Sequence, residues 1–221
     1  MRKLSFAVAL LMFTLAGTAT ATIVGGTVTG GTAQTAGGTF VKLTVPLMNL
    51  FGPVNSVGND NFQSPNLFGF DEDQNILLSA PLAIDVGASP LPAGLVVASH
   101  YIFFDPGPSQ HMIGTVDFDS DVLAIITSTG TLAASDFLAN TGVNYLSPSA
   151  RGLEAGDVVS ISGPRQILFD TFASSPGDYV RVLTRFSPAA AVPEPSSIAL
   201  MALGVMALSA LRRRKRPSSA S

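Results

Sequence analysis

The chain has 221 residues, with 15 acidic and 12 basic side chains, 21 glycines and neither cysteine nor tryptophan. That length holds one domain of ordinary size plus end segments, and without cysteine the fold must rest on an apolar core, which about 150 residues can supply. Between residues 22 and 191 there are only 5 basic residues against 14 acids, and the resulting charge of −9 argues against nucleic acid or anionic lipid as the partner of that region.

Arg2 and Lys3 precede an apolar run from Leu4 to Leu15, and Ala19-Thr20-Ala21 places small residues where a signal peptidase reads them. Residues 1–21 therefore read as a secretory signal peptide cleaved after Ala21, which makes the protein an exported one. A buried N-terminal helix fits less well, because the run is short, begins with positive charge and dissolves into Gly and Thr. Residues 22–38 are almost only Gly, Thr, Ala and Val, too poor in bulky side chains to bury a core, and read as a flexible leader.

Residues 39–186 read as one all-β domain, an antiparallel β-sandwich with one short helix. Short β-branched and aromatic runs alternate there with Gly, Pro, Asn and Asp. The expected strands are 39–45, 67–70, 75–86, 94–104, 112–118, 122–127, 158–162, 166–172 and 179–186. In the last of them Val180, Val182, Thr184 and Phe186 share one face and Tyr179, Arg181, Leu183 and Arg185 the other, the alternation of a half-buried strand. Residues 133–139 read as the helix, with Ser135 able to cap it.

A linker, 187–191, leads to Val192-Pro193-Glu194-Pro195, then to a mostly apolar stretch over 196–211, then to Arg212, Arg213, Arg214, Lys215 and Arg216, with 217–221 at the end. Two prolines around one residue keep that segment extended and open to a protease. The basic cluster resists translocation, so it stays cytoplasmic and leaves what precedes it outside. Sixteen helical residues reach about 24 Å, short of the roughly 30 Å hydrocarbon core. The stretch is a marginal transmembrane helix, better suited to a temporary anchor than a permanent one.

Residues Val192 to Arg216 resemble a PEP-CTERM sorting signal, with the Pro-Glu-Pro triplet, apolar helix and Arg-rich end in the family's order. The resemblance implies recognition at Pro193, Glu194 and Pro195 by an exosortase, a membrane-embedded protease or transpeptidase of Gram-negative, polysaccharide-producing bacteria that removes the tail. It also implies an inner-membrane-anchored intermediate and then a place at the cell surface or outside the cell. The stretch from about Leu67 to Thr184, through Ser99-His100-Tyr101-Ile102-Phe103-Phe104-Asp105-Pro106 and Pro176-Gly177-Asp178-Tyr179-Val180-Arg181-Val182, is similar to one group of such proteins. That likeness implies an all-β extracellular domain and carries no assigned functional residues.

Within the domain, Asp117, Asp119 and Asp121 alternate and, on an extended chain, project to one side where they could share a hard cation such as calcium. Asp71, Asp73 and Asn75 repeat the spacing, but neither set has the Gly and Glu of an EF-hand loop, and a solvated turn is the competing reading. No other cofactor is called for. His100 falls on the face of Ala98, Ile102 and Phe104 and reads as a core histidine; His111 lies among Pro and Gly. There is no Gly-x-Ser-x-Gly elbow, and no catalytic residue stands out. Tyr101, Phe103, Tyr145 and Tyr179 are candidates for stacking on sugars, against ordinary packing. The expectation is a structural or binding component of the exopolysaccharide layer of a biofilm matrix, with polysaccharide as partner. The alternative is a secreted hydrolase of a matrix polymer, steadied by calcium.

Overall fold

A computed structural model describes residues 21–186. The signal peptide and transmembrane helix expected from the sequence, with their basic cluster and the Pro-Glu-Pro triplet, lie outside those residues apart from Ala21. The described chain is mostly β. Its strands, in chain order, are β1 (Ile23–Gly30), β2 (Phe40–Lys42), β3 (Ser56–Val57), β4 (Leu67–Asp71), β5 (Ile76–Leu77), β6 (Val86–Gly87), β7 (Val96–Phe104), β8 (Gln110–Phe118), β9 (Val122–Ile126), β10 (Asn144–Tyr145), β11 (Val158–Gly163), β12 (Gln166–Ala173) and β13 (Asp178–Arg185).

One sheet has the order β1-β8-β12-β11 and is antiparallel throughout. A second has the order β2-β4-β7-β13-β9-β6, with β5 also on β7, and here β2 and β4 run parallel. A parallel β3–β10 pair stands apart. The architecture is consistent with a β-sandwich, but mixed where an antiparallel one was expected.

Alternating side chains explain the layering. Ile102, Phe104, Val180, Val182 and Ile125 from one face of the larger sheet join Ile23, Met112, Val116, Ile167 and Phe169 of the smaller sheet in one core. From the opposite face of the larger sheet, Phe68, Phe70, Tyr101, Phe103, Tyr179 and Leu183 form a second core with Leu47, Phe62, Leu82, Leu132 and Leu138. Every residue of β13 but the last is therefore buried. The half-buried strand expected at 179–186 is corrected to a central strand, paired to β7 on one side and β9 on the other.

The expected flexible leader is likewise corrected. Residues 23–30 form edge strand β1, paired to β8, with Ile23 only 1% exposed, and a single helical turn, Gly31–Thr35, follows. Glycine serves close packing here: a Cβ on Gly26 would stand 2.6 Å from both the Phe40 ring and the Thr115 carbonyl. The strand expected over 75–86 is reduced to its two ends, β5 and the start of β6. The helix expected at 133–139 begins earlier, at Thr129–Ala134, capped by Ser128 through a bond from the Thr131 amide, and continues as a 3-10 turn at Asp136–Leu138.

Candidate functional site

The three carboxylates at 117, 119 and 121 do not converge. Asp117 lies in β8 and accepts from Gln166 Nε2 at 2.7 Å, across the strand pair. The chain then leaves the strand, so the alternation that would have aligned the three ends at Phe118. Asp119 accepts the Thr22 amide at 2.8 Å, and Asp121 faces Arg165 Nε at 3.3 Å. The Asp71 set also disperses. Asp71 accepts the Ile23 amide (3.0 Å) and the Thr22 hydroxyl (2.7 Å) and pairs with Lys42 and His100, both at 2.8 Å. Burial alone would raise its pKa, but the His100 and Lys42 contacts outweigh that and hold it well below the usual carboxylate range. Among the described residues no three His, Cys, Asp or Glu side chains stand close enough to share a metal ion.

His100 is fully buried, as the strand alternation predicts. A carboxylate can only accept, so Nδ1 donates to Asp71, while Nε2 lies 3.0 Å from the Thr184 hydroxyl. His111 is different. Its ring stacks flat on Phe172, centroids 3.9 Å apart and planes within 6°, and its Nε2 meets Asp170 Oδ1 at 2.7 Å. Phe172 is 62% exposed. In register across β12 and β8, Phe172 faces His111, Asp170 faces Ile113, Leu168 faces Thr115 and Gln166 faces Asp117. These side chains alternate with the buried Ile167, Phe169, Thr171 and Ala173, so they share the outer face of the smaller sheet.

Three of the aromatic candidates are interior. Tyr101, Phe103 and Tyr179 are fully buried and stack on one another, and Tyr145 meets Tyr101 edge-on. Beside them lies a buried ionic network. Arg181 Nε donates to Glu72 Oε2 at 2.7 Å, and Glu72 also accepts from Ser99 and the Tyr145 hydroxyl, both at 2.6 Å. Arg181 Nη1 donates to Ser135 Oγ at 2.6 Å, and Arg151 grips Asp136 through two bonds of 2.9 and 2.8 Å. Burial alone would lower the pKa of Arg181, but the facing Glu72 carboxylate more than offsets it and holds the guanidinium charged. Every charge in the network is paired, and all but the half-exposed Asp136 are enclosed, an arrangement suited to fixing the fold.

At one end of the larger sheet, β13 begins with Asp178 opposite Phe104, the residue before Asp105. Asp178 is 2% exposed and lines a cleft of about 210 Å³ with Ser149, Arg151, Glu154 and Ser175. Burial, with Asp157 and Glu154 adding like charge, pushes its carboxyl up to about 7. Burial and the neighbouring Asp60 push Asp105 up to about 6, against the amide of Phe62 that donates to it. Neither acid has an ion-pair partner among the described residues. Both histidines lie elsewhere, on Asp71 and Asp170.

Sequence reasoning missed Phe172, Asp178 and the Glu72–Arg181 pair. Phe172 stood only as the end of an expected strand, Glu72 lay between the alternating Asp71 and Asp73, and Arg181 was placed on one face of a half-buried strand.

A family model described as the PEP-CTERM protein-sorting motif matches residues 191–215. No curated protein and no solved structure matches the chain. The tail is thus the exosortase-substrate signal that its residues resemble, and it implies an exported protein with a membrane-anchored intermediate.

Proposed function

We propose that, once its tail is removed, this protein serves as a non-catalytic structural or binding component of the exopolysaccharide layer, with the outer face of the smaller sheet as its contact surface. The observation that carries this reading is the exposed Phe172 ring backed by His111 on the outer face of the smaller sheet, where β8 and β12 pair without a register shift. An aromatic face flanked by carboxylate and amide groups matches a sugar ring, whose C–H face packs on the aromatic while its hydroxyls bond to groups such as Asp170, Gln166 and Asp117. A histidine-dependent catalytic reading draws no support, because both histidines are held by Asp71 and Asp170, away from the acids at Asp178.

The test is co-sedimentation of the processed protein with exopolysaccharide from producing cells. Wild type is expected to sediment with the polymer, and Phe172→Ala to weaken binding roughly two- to tenfold. Polymer that does not carry down the wild type refutes the reading. The second reading, a hydrolase of a matrix polymer, draws support from the Asp178 cleft alone. It predicts new polymer ends that Asp178→Asn abolishes.

A further inference from the structure

Thr22 is held by two acids. Its amide donates to Asp119 Oδ1 at 2.8 Å, the Asp119 amide donates back to the Thr22 carbonyl at 3.0 Å, and the Thr22 hydroxyl and Ile23 amide both reach Asp71. The charges around it are unevenly met. Asp71, on β4, already has Lys42 from β2 and His100 from β7. Lys42 Nζ also contacts the Thr22 hydroxyl and donates to the Ile23 carbonyl at 2.8 Å. Asp121 has Arg165, and Asp117, turned to the outer face, has Gln166. Asp119 has no Lys, Arg or His within ion-pair distance among the described residues, and the Thr22 amide is the one donor its side chain accepts from. A carboxylate therefore stands at ion-pair distance from a backbone nitrogen and lacks a cation.

That nitrogen is neutral only while Ala21 is attached. We propose that Asp119 is the seat of the mature chain's α-ammonium group, made when the signal peptide is cut between Ala21 and Thr22. The inference takes cleavage after Ala21, expected from Ala19-Thr20-Ala21, as its premise. Water adds across the Ala21–Thr22 peptide bond: the Ala21 carbonyl carbon takes the hydroxyl and leaves as a carboxylate, and the Thr22 nitrogen takes the protons and becomes an ammonium. The charge appears about where the amide already sits, so a bond with one charged partner becomes a full ion pair without rearrangement. An α-amino group in water titrates at about 7.7–8.0; the Lys42 ammonium beside Thr22 lowers it but is itself paired with Asp71, and the facing Asp119 carboxylate raises it, so the pair is ionic at neutral pH.

Order of events follows from burial. Ala21 is 1% exposed and Ile23 equally so, so a protease reaches this bond before β1 docks. Cleavage then supplies the ion pair that locks β1 to the end of β8. Export and completion of the fold become linked, because a chain still carrying its leader lacks the charge that Asp119 awaits.

The experiment uses protein exported and processed by its own cells. Mass spectrometry is expected to show an N-terminus at Thr22; a different first residue overturns the proposal at its premise. Carbamoylating the α-amine with cyanate at mildly acidic pH removes the charge and is expected to lower Tm by about 2–4 °C. Asp119→Asn is expected to lower Tm similarly in the free-amine protein and to change little in the carbamoylated one. Equal effects of Asp119→Asn on the two forms, or no effect of carbamoylation, would show that the amine and Asp119 are not coupled and would overturn the proposal.

Discussion

Arg181 and Glu72, 109 residues apart in the chain, form an ion pair in which both side chains are wholly removed from solvent. Each brings its own neutral partners: Ser99 and Tyr145 on the glutamate, Ser135 and the Leu132 carbonyl on the arginine. Removing both charges from water is costly, so the pair persists because every remaining donor and acceptor is met. It joins the loop after β4 to the central strand β13 and to the helical turns over the second core.

Glu72→Gln leaves a buried guanidinium facing an amide. The variant is expected to lose about 3–5 kcal/mol of stability, read as the shift in urea midpoint at an unchanged slope. A loss below about 1 kcal/mol would mean that the pair behaves as an exposed one.

Two buried acids at the Asp178 end set a pH dependence. Their folded-state pKa values, about 6 for Asp105 and about 7 for Asp178, lie above the ordinary 3.8. Such groups add stability that is complete below about pH 4 and is lost as pH rises through 6 and 7. Asp71 acts oppositely, adding stability above its ordinary value that is lost as pH falls below it. The domain is therefore expected to melt at lower temperature at pH 8 than at pH 5. Asp178→Asn should flatten that slope; an unchanged slope in the variant would show that Asp178 is already ionised at pH 5.

Strand β1 gives a third expectation. Those amides of residues 25–30 that point into β8 should exchange slowly with deuterium, and the alternate ones on the open edge faster, as in an edge strand. Ile23→Ala should cost about 2–5 kcal/mol. Exchange over this segment as fast as in an unstructured peptide would restore the flexible-leader reading.

Much of the β-domain was legible because its long strands alternate. β7, β8, β12 and β13 fall within a few residues of their expected limits. Failures came where alternation carries no information. β13 is apolar or paired on both faces, so Arg181 looked wet when its charge was being met by a glutamate far away in the chain. β1 is poor in bulk because Phe40 and a neighbouring carbonyl crowd Gly26, and small residues chosen for close approach look the same in sequence as small residues in a linker. The sorting motif was legible because it is local: its triplet, apolar run and basic cluster need no tertiary contact to be recognised. The sheet face around Phe172 and the cleft at Asp178 depend on strand registers, which no local pattern supplies.

The central claim, that this is an exported protein released from a temporary anchor by an exosortase, is tested most directly by intact mass spectrometry of the protein from producing cells and from cells lacking the exosortase. The account predicts a mature C-terminus at or near Pro193–Pro195 in the first and retention of Arg212–Arg216 in the second. Protein that keeps Arg212–Arg216 in both strains would contradict it.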